Sequence, residues 1–113
     1  MRLQLLAEDI RYSATNREVY KVATTILDAV INKIPDISCT IYSANEEKCE
    51  VAVRFGEYYN ELLKKRSWKF AMKLRVLLSK KYVYIVGTNI RFPFSPEMPD
   101  KVAGTIYKYL MLA

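Results

Sequence analysis

The sequence predicts an α+β fold, a β-α-β-β-α-β-α sandwich in which an antiparallel sheet carries its helices on one face. Three observations predict it. Apolar residues recur at helical spacing over residues 16–34 and again over 96–112, and they alternate with polar ones over 37–42 and 48–55. The chain also echoes itself at an offset of 80 residues. With 113 residues, 51% of them hydrophobic and 27% charged, the composition is that of one globular domain spanning 1–113.

Residues 2–10, RLQLLAEDI, form a short apolar-rich strand. Thr15 then precedes Glu18 by three positions, a capping box in which each side chain satisfies the other's backbone N–H. Val19, Val22, Ala23, Ile26 and Val30 follow on one face, so 16–34 is an amphipathic helix closed by Pro35. Ile37, Cys39 and Ile41 alternate with Ser38, Thr40 and Tyr42; Cys49, Val51, Val53 and Phe55 alternate with Lys48, Glu50 and Arg54. That is a hairpin with one face buried and one wet. After Gly56 the spacing predicts a long helix over about 57–79, then a fourth strand over 82–92 and a last helix over about 96–112.

The echo aligns Ile10-Arg11-Tyr12 with Ile90-Arg91-Phe92 and KVATTI (21–26) with KVAGTI (101–106). Seven of 31 ungapped pairs are identical, where roughly two are expected by chance. Thr15 falls on Ser95, a capping residue before Pro96 at the favoured first helical position. Residues 1–80 then read as a complete β-α-β-β-α unit, and 81–113 as the opening β-α of a second copy. The first and fourth strands are expected to lie side by side and antiparallel.

The charge is unevenly placed. The chain carries +6, yet residues 64–81, KKRSWKFAMKLRVLLSKK, carry +8 with no acid, leaving −2 for the rest. A near-neutral body with one cationic element is expected to meet a polyanion. Lys64, Lys65, Arg66, Lys69, Lys73, Arg75, Lys80 and Lys81 are therefore the candidate nucleic-acid-binding residues. On a helix, Leu63, Phe70, Leu74 and Leu77 share a core face, while Trp68, Met72 and Val76 form a second apolar stripe opposite it. Such a stripe, rimmed by charge, is expected to be a partner interface in a homo-oligomer or a complex. A plain solvated face is the bland alternative.

Little in the sequence points to catalysis. With no histidine, Ser–His and Cys–His catalysis and histidine-based metal sites are excluded. Asp36 with Glu46-x-Lys48 superficially matches a metal-dependent nuclease pattern, but Glu46 and Lys48 fall at a hairpin tip. Three scattered glycines make no phosphate loop, so no cofactor is expected. Neither KCEVAVRF (48–55) nor the first strand offers the aromatic platform of an RRM. Cys39 and Cys49, both at inward strand positions, read as buried free thiols and fit a cytoplasmic protein. No stretch approaches the roughly 20 apolar residues of a membrane span.

Three segments carry a resemblance. IRFPFSPEMPDKVAGTIYKYL, the hairpin ISCTIYSANEEKCEVAVRF, and the following segment with Leu63-Lys64 and Phe70 together resemble the small dimer-forming subunit of the KEOPS complex, which helps place threonylcarbamoyl on tRNA adenosine. The chain departs from that family at Lys64, where the family prefers Arg, and in its C-terminal β-α. The resemblance implies a non-catalytic adaptor that pairs with itself or a paralogue, docks a catalytic subunit and helps hold tRNA. The alternative is a small DNA-binding or architectural protein, of viral or plasmid type, contacting phosphates without reading bases.

Overall fold

In a computed structural model of the chain, the described residues are 14–34, 36–45, 47–56, 59, 61 and 72–111. They form a five-stranded antiparallel sheet and two helices, an α+β arrangement. The predicted strand over 2–10, and with it the pairing of first and fourth strands, lies outside them.

Helix α1 runs Ala14–Lys33. Val19, Ala23, Ile26, Leu27 and Val30 recur every three or four residues and are all buried, while Glu18, Lys21, Thr25 and Asp28 face solvent. The helix stops two residues before Pro35, as the restricted backbone ahead of a proline requires. It includes Ala14 and Thr15 in its first turn. Strands β1 (Cys39–Asn45) and β2 (Glu50–Phe55) form the expected hairpin, with a bulge at Tyr42 where the register shifts between Ile41 and Ser43. Beyond the last pair, the Gly56 N–H donates to the Ser38 carbonyl at 2.9 Å. A Cβ on Gly56 would come within 2.9 Å of Ser38 Oγ, so the close approach there suits glycine.

The long helix expected over 57–79 does not extend to its predicted end. Tyr59 and Glu61 are helical, but Met72–Leu77 is strand β3, paired antiparallel with β2. Leu78–Lys81 is a turn into β4 (Tyr82–Ile85). The reason is periodic. Spacings of four, as between Met72 and Val76, keep residues on one face of a helix and equally on one face of a strand. MKLRVL also alternates strictly, with Met72, Leu74 and Val76 inward and Lys73, Arg75 and Leu77 outward. The fourth strand is likewise shorter than expected. It ends at Ile85 in a turn where Gly87 takes φ 95° and Thr88 Oγ1 donates to the Ile85 carbonyl at 2.8 Å. The chain then returns as β5 (Arg91–Pro93), an edge strand that Pro93 keeps from extending the ladder.

Ser95–Glu97 lead into helix α2 (Met98–Met111), the Met98 N–H bonding the Ser95 carbonyl at 3.1 Å. Strand order is β1-β2-β3-β4-β5, each neighbour antiparallel. The helices pack against each other and onto one face, where Ile41, Val51, Val53, Met72, Leu74, Val76, Val83 and Ile85 are fully buried. The internal echo survives in the helices as shared burial: Ala23 with Ala103, Ile26 with Ile106, and Val30 with Leu110 all point into the core. Its strand half falls in part on residues 10–13, outside the described set. Among the described residues, no helix is long and apolar enough to cross a membrane.

Candidate nucleic-acid interface

Inward alternation on β3 forces its polar residues onto the opposite face of the sheet. One row crosses that face through directly opposed positions: Asn45 on β1, Glu50 on β2, Arg75 on β3, Tyr84 on β4 and Arg91 on β5. Beside this row lie Arg54, Lys73 and Tyr82 on the outward positions of β2, β3 and β4, and Tyr42 at the β1 bulge. Arg54, Lys73, Arg91 and Tyr42 are exposed, and Tyr82 and Tyr84 are half-buried. Among the described residues, four cations and three tyrosines therefore share the face with one carboxylate.

Each arginine of the face is tied to a tyrosine, in two geometries. The Arg54 guanidinium lies 4.4 Å from the Tyr42 ring centroid, close enough to stack on it. Arg75 and Arg91 stand farther off, 5.7 Å from the Tyr84 ring and 5.3 Å from the Tyr82 ring, because both reach for the hydroxyl. Arg75 Nη1 donates to the Tyr84 hydroxyl oxygen at 2.7 Å. Arg91 hydrogen-bonds the Tyr82 phenol, and that bond together with the nearby cations holds the phenol below its usual pKa of 10. Tyr82 and Tyr84 are themselves neighbours, ring centroids 6.1 Å apart and planes 40° apart.

Arg75 is the fixed centre. Its Nε is buried without a hydrogen-bond partner and lies 3.9 Å from Glu50 Oε2, an ion pair too long to be a hydrogen bond. Glu50 is only 8% exposed, and Arg75 is the cation placed beside it. Arg75 is thus held from β2 and from β4. Lys73, Lys80 and Lys81 have no ion-pair partner among the described residues and project freely. Lys81 closes the β3–β4 turn at φ 58°, a left-handed backbone that costs a non-glycine residue about 1 kcal/mol.

Of the residues predicted to bind nucleic acid, Lys73, Arg75, Lys80 and Lys81 are placed on β3 and its following turn, on a strand instead of a helix. Lys64, Lys65, Arg66 and Lys69 lie outside the described residues, as does Trp68. Met72 and Val76, expected on an exposed partner stripe, are fully buried in the core and cannot form one. The sequence reading missed Arg54, Arg91, Tyr42, Tyr82 and Tyr84. The signal was present in Tyr82-Val83-Tyr84, where a buried valine between two tyrosines puts both rings on the outward side. The aromatic residues of this face stand on β1 and β4.

Cys39 is buried and Cys49 half-buried, both free thiols. Cys49 sits just before β2 with φ 52°, outside the strand in which it was expected. Burial, with a smaller contribution from Asp28, pushes the Cys39 thiol up to about 11. Among the described residues, no three His, Cys, Asp or Glu side chains are grouped as metal ligands. Comparison with protein-family models, with curated proteins and with solved structures gives no match.

Proposed function

We propose that the chain is a non-catalytic, cytoplasmic adaptor domain that binds RNA on the outward face of its sheet. One observation carries this reading: Arg54, Lys73, Arg75 and Arg91 share that face with Tyr42, Tyr82 and Tyr84, and the sole acid among them, Glu50, is already paired with Arg75. Cations that no carboxylate neutralises attract phosphate, and interleaved tyrosines suit nucleotides better than an acidic protein surface. The resemblance to the KEOPS dimer-forming subunit adds tRNA as the RNA and a copy of the chain or a catalytic subunit as protein partner. That resemblance rests on the sequence of the hairpin, of residues 90–110 and of the segment with Leu63-Lys64 and Phe70. The outward sheet face is the element that would lie against the RNA, with Lys64, Lys65, Arg66 and Lys69 outside the described residues.

The reading is tested by measuring affinity for tRNA and for duplex DNA across a salt series. Replacing Lys73, Lys80 and Lys81 together by glutamine is expected to lower the slope of log K against log salt by roughly 2–3, about one counterion per lost phosphate contact. These side chains are exposed and outside the core, so the variant is expected to fold. Preference for tRNA supports the adaptor; equal affinity for duplex DNA supports the architectural alternative. An unchanged slope would remove the face from the interaction.

A further inference from the structure

The same face says which form of nucleic acid it takes. Resting on the reading above, we infer that it holds unpaired nucleotides, with bases stacked on Tyr42 and on the Tyr82–Tyr84 pair and phosphates on Lys73, Lys80 and Lys81. A duplex hides the flat faces of its bases and offers phosphates and base edges, for which tyrosine rings on a sheet are poorly suited. A single strand offers a π-face at every nucleotide. The geometry here is that of prepared ring faces. Arg75 and Arg91 engage Tyr84 and Tyr82 through their hydroxyls, with guanidinium carbons 5.7 and 5.3 Å from the ring centroids, which fixes the half-buried rings in position. Tyr42 carries Arg54 on its ring at 4.4 Å, and a guanidinium stacked on tyrosine extends the flat surface a base can join.

Spacing agrees. Tyr42 on β1 and Tyr82 and Tyr84 on β4 are three strand intervals apart, about 14 Å at the usual separation of neighbouring strands. Exposed Lys73, with no acidic partner among the described residues, lies on the intervening β3. A strand running across the sheet from β1 to β4 would thus meet ring, cation and ring in turn, with Lys80 and Lys81 in the β3–β4 turn beyond Tyr82.

The test compares a short oligouridine with a blunt RNA duplex of equal length, each fluorescently labelled, at fixed salt. Tighter binding of the single strand by tenfold or more is expected. Tyr42→Leu and Tyr82→Leu are each expected to weaken it roughly 5- to 100-fold, with the salt slope and duplex affinity almost unchanged. Tyr42→Phe, which keeps the ring, is expected to bind as the parent does, and thermal melting checks that every variant is folded. Duplex affinity equal to that of the single strand, or leucine variants that bind the oligouridine normally, would overturn the inference while leaving the phosphate-binding face intact. Absence of binding to either RNA would overturn both.

Discussion

The two faces of one sheet are built on opposite principles. Inward, Val51, Val53, Met72, Leu74, Val76, Val83 and Ile85 are without measurable exposure and carry no polar atom that needs a partner. Outward, one residue along on the same strands, Glu50, Arg75, Tyr84 and Arg91 form a cross-sheet polar row, with Glu50, Arg75 and Tyr84 held by one another. The alternation of β3 serves both faces at once, so a single six-residue strand puts Met72, Leu74 and Val76 into the core and Lys73 and Arg75 on the outward face. Lys73 and Arg75 point outward because β3 is amphipathic, and their surroundings depend on which tyrosines β1 and β4 bring beside them.

The largest effect should come from the inner face. Leu74 is fully buried between Val51 and Ile85, its register partners on the neighbouring strands. Leu74→Ala is expected to cost about 2–5 kcal/mol of stability by chemical denaturation. At a temperature where the variant remains folded, its RNA affinity should be parental. A folded variant with lost binding would break the division of labour between the faces.

A smaller, pH-dependent effect belongs to the same side. The Cys39 thiol keeps its proton up to about 11 in the folded chain, against an ordinary value of 9.0. A raised folded pKa means that the folded state gains from the protonated thiol at pH below 9 and loses that gain as pH rises through 11. The loss is about 2–3 kcal/mol. Cys39→Ala, compared with the parent in denaturation at pH 8 and again above pH 10, should lack this part of the alkaline decline. Parallel declines in the two proteins would mean that Cys39 is not the titrating group.

The smallest effect separates two cations of the outer face. Arg75→Gln leaves Glu50 buried beside a neutral side chain and should cost about 1–2 kcal/mol. Lys73→Gln, exposed and unpaired, should change stability by less than about 0.5 kcal/mol and weaken RNA binding instead. Equal stability losses would show that the Glu50–Arg75 pair contributes nothing specific.

Periodicity decided how much of this was legible in the sequence. The helix over 14–33, the hairpin and the last helix were readable because their apolar residues obey one period over many positions. Strand β3 was not, because Trp68, Met72 and Val76 at spacings of four satisfy helix and strand alike, and a six-residue strand is too short to separate them. The single strand over 82–92 failed at Gly87, whose φ of 95° marks a turn that a glycine alone does not announce. The candidate site was half visible. Lys73, Arg75, Lys80 and Lys81 stood out in the charge map, whereas Tyr42, Tyr82, Tyr84, Arg54 and Arg91 become neighbours only through register, which no local pattern specifies.

The central claim, that RNA is bound by the outward sheet face, is tested most directly by mapping backbone amide shifts while tRNA or oligouridine is titrated into labelled protein. Shifts are expected along β1–β5 and the β3–β4 turn, centred on Tyr42, Lys73, Lys80, Tyr82 and Tyr84, with the solvent sides of α1 and α2 unaffected. Shifts concentrated on the helices, with the sheet face silent, would contradict it.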